Sequence, residues 1–410
     1  MDTFTRLQEI PRYSRMVPVS EISDPKNDCN LNLPRYIDST EPEDIQDIAA
    51  HLRGGIPERD IDAISRYWLV IPAVRAALFE KTAHRGYSQL RVPAADIKAT
   101  IFGHDEFTTF NTSATKLFTK WKKANTPLLK GLTQDSHPKA LIDTLSEDLL
   151  ETFLKAPLLD AYDVYQHLMD YWSQTMQDDC YLISGDGWKK AAQLQLIIDD
   201  KNKKTKAKPD FALGKKKYTA ELIPPALVIA CYYVKEQVAI EALEAEIAAL
   251  EQELEEMAEE HGGEDGLLAE ARNDKDKLTK ASAATRLKEI KKDPDAADER
   301  KVLQSYVNLS EKAADVGTKL KAAQDALITK VAAKYGQLSE DEIKTLVVDD
   351  KWLATLAAAV QGELDRVSQT LTGRIRPLAD RYASPLPQIV DEVEQLAAKV
   401  AAHLEKMGSY

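Results

Sequence analysis

Along most of this chain the apolar residues recur every three or four positions, the spacing of helices that bury one face. Ser39-Thr40-Glu41-Pro42-Glu43 reads as a helix start, with a hydroxyl cap, acids in the first turn and Pro near the first helical position. Ile45, Ile48 and Leu52 follow at helical spacing, and Gly54-Gly55 ends the run. Ile61, Ile64, Trp68 and Ile71 predict a second helix, closed at Pro72. Leu141, Leu145, Leu149 and Phe153 line a third, and Tyr162, Tyr165, Met169 and Trp172 a fourth. The first forty residues differ. Val17-Pro18-Val19 and Leu31-Asn32-Leu33-Pro34 read as two short extended pieces, too few to form a stable sheet alone.

In the last third the spacing tightens to the a/d rhythm of coiled coils. Ile240, Leu243, Ile247, Leu250, Leu254 and Met257 form one seam; Tyr306, Leu309, Ala313, Val316, Leu320, Ala323 and Leu327 form another. Val360, Leu364, Val367, Leu371, Ile375, Leu378 and Tyr382 make a third, and Val393, Leu396, Val400, Leu404 and Met407 close the series. The glycines at 262, 263 and 266 end the first long helix. An antiparallel hairpin with a short helix at its tip, over 283–292, is the simplest arrangement. Each seam leaves an apolar stripe that must be covered, by another part of the chain or by a partner. Ile240, Leu243, Ile247, Leu250, Leu254, Leu364, Val367, Leu371 and Ile375 are the candidate partner-interface positions. The fold class is therefore mainly α. It comprises a strand remnant over 1–39, a helical domain over 40–198, a basic loop and connector over 199–225, and a long-helix coiled-coil or bundle domain over 226–410.

Composition sharpens this picture. With 44% hydrophobic and 30% charged residues the chain is an ordinary globular one, and only 16 glycines argue against a turn-rich α/β architecture. A net charge of -13 means that contact with DNA must come from local basic patches. Two stand out. Residues 199–217 hold eight lysines (Lys201, Lys203, Lys204, Lys206, Lys208, Lys215, Lys216 and Lys217), and Lys120, Lys122 and Lys123 flank Trp121, with Lys116 one turn earlier. Each patch can neutralise phosphates, and each also reads as a solvated surface. Residues 236–260 carry ten glutamates and no Lys or Arg, while 272–301 carry ten basic residues, so the two segments are expected to pair. Cys29, Cys180 and Cys231 form no CxxC and read as reduced, mostly buried thiols of a cytoplasmic protein. No apolar run reaches the length of a membrane span, and the N-terminus lacks the order of a signal peptide.

Chemical motifs are sparse. The seven histidines show no HxH, HxxxH or HExxH spacing, so no metal site is assigned. Asp199-Asp200-Lys201 has a nuclease-like triplet inside a lysine-rich loop, where chance matches are common. His104-Asp105-Glu106 reads as a surface turn beside Phe102, Phe107 and Phe110. An amino-methylating enzyme needs a glycine-rich turn after a strand and an Asn/Asp-Pro-Pro-aromatic turn to hold a flipped base. Pro224-Pro225 is preceded by Ile223 and followed by Ala226, and Gly185-Asp186-Gly187 is a plain turn before Trp188. No catalytic, cofactor-binding or metal-binding residue is assigned.

Several segments nevertheless resemble one family. Tyr13-Ser14-Arg15-Met16-Val17-Pro18, Asn30-Leu31-Asn32-Leu33-Pro34-Arg35-Tyr36-Ile37-Asp38, His51-Leu52-Arg53-Gly54-Gly55-Ile56-Pro57, Tyr165-Gln166-His167-Leu168-Met169-Asp170-Tyr171-Trp172, Asp349-Asp350-Lys351-Trp352 and Leu371-Thr372-Gly373-Arg374-Ile375 occur in this order. Together they resemble the C-terminal part of the M subunit of type I restriction-modification enzymes, the DNA adenine-N6 methyltransferase subunit. The resemblance implies that the catalytic domain, with its S-adenosylmethionine site, precedes the point where this sequence starts, and that the early strands are the edge of its sheet. It implies no cofactor for these residues. Its implied partners are the specificity (S) subunit, a separate catalytic M polypeptide, the R subunit and double-stranded DNA within the complex, with no membrane. A free-standing coiled-coil protein that modulates or inhibits the parent complex is the alternative reading.

Overall fold

The computed structural model describes residues 2–10, 13–37, 46–197, 209–214, 216–263, 266–273 and 277–407. It is mainly helical, with 71% helix and 6% strand. In chain order the elements used below are α1 (Ile48–Arg53), β1 (Ile56–Pro57), β2 (Phe79–Lys81), β3 (Tyr87–Leu90), α2 (Asp105–Lys130), α3 (Pro138–Phe153), α4 (Ala161–Tyr171) and α5 (Gln177–Asp186). They continue with β4 (Gln195–Leu196), β5 (Phe211–Leu213), β6 (Lys216–Thr219), α6 (Pro225–Tyr232), α7 (Val234–His261), α8 (Lys280–Glu289), α9 (Ala297–Tyr335), α10 (Ala354–Arg381) and α11 (Leu386–Lys406). The chain divides into two compact units, neither contiguous in sequence. The first holds residues 1–65, 76–95 and 374–410; the second holds 66–75 and 96–373.

The first unit corrects the strand expectation. Where Val17–Val19 and Leu31–Leu33 were expected to be extended, the chain forms a helical turn, Val19–Ile22, and a 3-10 turn, Leu33–Arg35. Pro18 precedes one turn and Pro34 sits in the first turn of the other, where its fixed φ suits helix entry better than a ladder. The predicted cap at Ser39–Glu43 lies outside the described residues. The described helix begins later, at α1, where the Asp47 carboxylate accepts the Ala50 amide at 3.0 Å. The strands of this unit come from residues not read as strands: β1, β3 and β2 form a three-stranded antiparallel sheet with Ile56 opposite Ser88 and Phe79 opposite Leu90. Gly54 and Gly55 take φ of 79° and 91°, and a Cβ on either would lie 3.1 Å from a neighbour, Pro385 or Tyr87. Tyr87 donates its hydroxyl to Asp47 at 3.1 Å, Arg59 pairs with Asp47 at 3.2 Å, and the Asp47 amide donates to the Tyr382 hydroxyl at 3.2 Å.

In the second unit a helical bundle carries a long hairpin. His104 accepts the Glu106 amide to start α2, and Glu106 in turn caps the amides of Ala73 and Val74. The α2 helix buries Phe107, Phe110, Ala114, Phe118 and Trp121 on one face, and α3 buries Leu141, Leu145, Leu149 and Phe153 as its spacing predicts. On α4 the buried face is Ala161, Val164 and Leu168, followed by Trp172. Tyr162 is exposed, and the aliphatic side chains take the core. Two π-helical stretches, Trp172–Met176 and Thr345–Leu353, interrupt the regular winding.

The hairpin pairs α7 with α9. Ile240 and Leu250 are buried in the seam, and Leu243, Ile247 and Leu254 are half-buried. Glu236 meets Lys330 at 2.9 Å, Glu246 meets Lys312 at 3.3 Å and Glu244 accepts from Gln324 at 3.2 Å, which fixes the antiparallel register. At the tip α8 folds back onto the start of α9 around its own small core of Leu268, Ala271, Ala283, Ile290, Leu303, Tyr306 and Val307. A second antiparallel sheet, in the order β4-β6-β5, pairs Phe211 with Tyr218, whose rings stack 5.8 Å apart.

The helix Glu340–Lys344 starts in a capping box of Ser339 and Glu342. A hydrogen bond from the Lys334 ammonium, then those from Ser339, hold the Glu342 carboxyl at about 2, below its ordinary 4.5. A depressed carboxylate stabilises the fold above its unfolded value, and that contribution is lost as pH falls from about 4.5 towards about 2. Acid titration of Glu342→Gln, followed by circular dichroism, should show a flatter loss of structure over this window than the wild-type chain shows. Identical acid profiles would contradict the assignment.

Candidate functional site

The sequence places its chemistry on surfaces rather than in a pocket. Of the basic candidates, Lys201, Lys203, Lys204, Lys206, Lys208 and Lys215 lie outside the described residues. Lys216 and Lys217 are exposed on β6. Lys120 and Lys123 are exposed on α2 and Lys122 is half-buried, all over the buried Trp121. From Phe107 to Lys130 this helix carries no acid, and Lys130 at its end pairs with Asp349 at 2.5 Å. These lysines form two patches within the second unit that can meet phosphates.

The nine candidate interface positions are used by the chain itself. Ile240 and Leu250 are closed by α9 within the hairpin, and Leu243, Ile247 and Leu254 are half-buried along the same seam. Leu364, Leu371 and Ile375 are fully buried and Val367 is 5% exposed. They form a core face of α10 and cannot meet a partner without unfolding it. Heptad spacing requires that a stripe be covered and does not say by what.

The uncovered seam is the last one. The 21 residues of α11 include none that is buried. Along one side Leu386, Ile389, Val390, Val393, Leu396, Val400, Leu404 and Met407 are between 43% and 76% exposed. The helix touches α1 of the same unit, where Ile48 and Leu52 are also exposed. A helix of this length spans about 32 Å, and alone in water it is marginally stable. Covering eight half-exposed apolar side chains contributes on the order of 10 kcal/mol, before the costs of orientation and ordering.

A buried polar node in the second unit has the perturbed carboxylate that often marks an active site. The Asp179 Oδ2 accepts from the Lys351 Nζ at 2.6 Å and from the Trp352 Nε1 at 2.7 Å, while Lys351 also donates to the Leu222 carbonyl at 2.8 Å. Burial pushes the Asp179 carboxyl up, against the pull of Lys351 and Trp352. Both charged side chains are sealed, at 7% and 11% exposure, so no substrate reaches them and their role is structural. Nearby Cys180 is buried, its thiol pushed up to about 12 by that burial. Cys29 and Cys231 are exposed, contrary to the expectation of mostly buried thiols.

The cofactor motifs can be tested against the folded chain. Pro224 caps and Pro225 begins α6, and the buried Ile223 offers its carbonyl to the Tyr335 hydroxyl at 2.5 Å. This pair opens a helix and braces no base. Gly187, at φ 76°, ends α5 and hands over to the buried Trp188, whose Nε1 donates to the Leu132 carbonyl at 2.8 Å. Both motifs are helix ends. Among the described residues no group of three His, Cys, Asp or Glu is placed to hold a metal ion, and no helix is long and apolar enough to cross a membrane. Comparison with protein-family models, curated proteins and solved structures finds no match to this chain.

Breaking a sealed ion pair leaves one buried charge without a partner. Asp179→Ala should lower stability by about 3–5 kcal/mol, read as a drop in thermal midpoint, whereas the control Asp178→Ala, at an exposed neighbouring position, should shift it little. Equal midpoints for the two variants would show that the node carries no weight.

Proposed function

We propose that this chain is the non-catalytic C-terminal portion of the M subunit of a type I restriction-modification DNA adenine-N6 methyltransferase, and that α11 docks the S subunit. The observation that carries the reading is the α11 stripe, an apolar helix face with no residue buried in the chain that bears it. Coiled-coil contact with a helix of the S subunit is the use such a face has. The resemblance of the ordered segments supplies the partner, and the same segments hold the fold together: Lys351 and Trp352 form the buried node, and His167 pairs with Glu363 at 2.8 Å. In the assembled enzyme the lysines of α2 and β6 help hold the duplex. Methyl transfer belongs to a catalytic domain that these residues do not supply.

Pull-down with the S subunit tests the proposal. The wild-type chain is expected to retain it, and Leu396→Asp with Val400→Asp to lose most of that binding, since each buried charge costs several kcal/mol at an apolar seam. Both positions are exposed, so far-ultraviolet circular dichroism should be unchanged. Equal capture of S by wild type and variant, or by neither, would remove the reading.

A further inference from the structure

The charge pairing expected between 236–260 and 272–301 takes a different form in the folded chain. The glutamates of α7 meet Lys312 and Lys330 on α9, along the shaft of the hairpin. The basic residues of the tip are left to other uses. Lys280 pairs with Glu311, and Arg286 with Glu270 and Glu299. Lys288 and Lys291 have no ion-pair partner among the described residues, and Lys301 has only Asp298, 3.5 Å away with both side chains 82% exposed.

These three lysines border one groove. A cavity of about 960 Å³ lies between the end of α8 and the start of α9, bordered by Lys288, Lys291, Arg300, Lys301, Gln304 and Ser305, with no carboxylate in its lining. Arg300 donates to the carbonyls of Ile290 and Asp293, which pins the two walls together. The tip's own apolar core sets this relief, so the cations sit on a folded platform rather than on a loose loop. The shaft that bears the platform is acidic: ten glutamates lie in 236–260, and a helix as long as α7 extends for about 42 Å.

We propose that the groove at the hairpin tip is a contact surface for the phosphodiester backbone of a nucleic acid. Lysines and an arginine neutralise phosphates, and neutral amide and hydroxyl donors such as Gln304 and Ser305 complete the set that backbone contacts draw on. Leu287 is turned half into the tip, so the rim offers no large apolar side chain for insertion into a lipid surface. The acidic shaft repels the same polyanion and confines contact to the end of the arm. This surface lies in the second unit, belongs to neither lysine patch of the sequence reading, and stands or falls independently of S-subunit docking.

The test is fluorescence anisotropy of a labelled random-sequence duplex with the full chain alone, between about 50 and 200 mM salt. The chain is expected to bind, with affinity falling as salt rises. Lys288→Glu/Lys291→Glu/Lys301→Glu should bind about tenfold more weakly or worse at low salt, and the slope of log affinity against log salt should shrink by roughly two to three. Because all three side chains are exposed, the thermal midpoint should hold. Lys116→Glu/Lys120→Glu/Lys123→Glu, also exposed, serves as the charge-matched comparison and should weaken binding less. The proposal is overturned by absence of duplex binding, by an unchanged slope in the tip variant, or by a larger loss in the α2 variant. Polyglutamate displacing the duplex at equal charge concentration would overturn it too, since the groove would then suit an acidic protein.

Discussion

The bond between Asp179 and Lys351 organises the second unit. A carboxylate and an ammonium taken from water into a protein interior are costly unless each is matched, and here the match is complete: Trp352 adds a donor to Asp179, and Leu222 an acceptor for Lys351. Three stretches far apart in sequence, α5, the π-helical stretch before α10, and the approach to α6, are held to one point by it. The π-helical winding explains how neighbours in sequence serve several directions. From one short run, Asp349 reaches Lys130, Lys351 reaches Asp179, and Trp352 enters the core. Such winding is uncommon and persists where the surroundings over-determine it. The segment Asp349-Asp350-Lys351-Trp352, one of those that carry the resemblance, is thus mainly a device for building the bundle from which the hairpin projects.

Around this anchored body the surfaces divide their labour by chemistry. An apolar helix face is stable in water only when covered, so α11 calls for a partner of matching geometry and gives it no net-charge signal. A cationic groove calls for a partner of opposite charge and makes the encounter sensitive to salt. The two lie in different compact units.

How much of this could be read beforehand depended on how local the cause was. The buried faces of α2 and α3 followed from spacing because a row of Phe or Leu at three-and-four intervals has one way to leave water. The hairpin was legible for the same reason, helped by glycines at the turn. The early segments misled because alternation over three residues is satisfied equally by a helical turn with Pro at its start. The sheet of β1, β3 and β2 was hidden, since two of its strands are short and amount to Ile56–Pro57 and Phe79–Lys81 without a strong pattern. On α4 the tyrosines looked like core and the smaller Val164 and Leu168 were preferred. The covering of each seam was out of reach, because a stripe records that burial is required but not which surface supplies it. The node at Asp179 was equally hidden: 172 positions separate its two charges, and nothing local marks them as partners.

The hairpin has a geometric freedom that the body lacks. Its two helices touch through a seam that repeats every seven residues, so seven residues added to each at matching heights would bring every seam side chain back to its azimuth. The tip would then stand about 10 Å farther out with its own core and charges intact. One residue added to one helix would instead turn the outer part by about a quarter of a revolution and break the seam. Reach is therefore a separately adjustable property of this molecule, changeable in whole heptads like the extension of a telescoping strut.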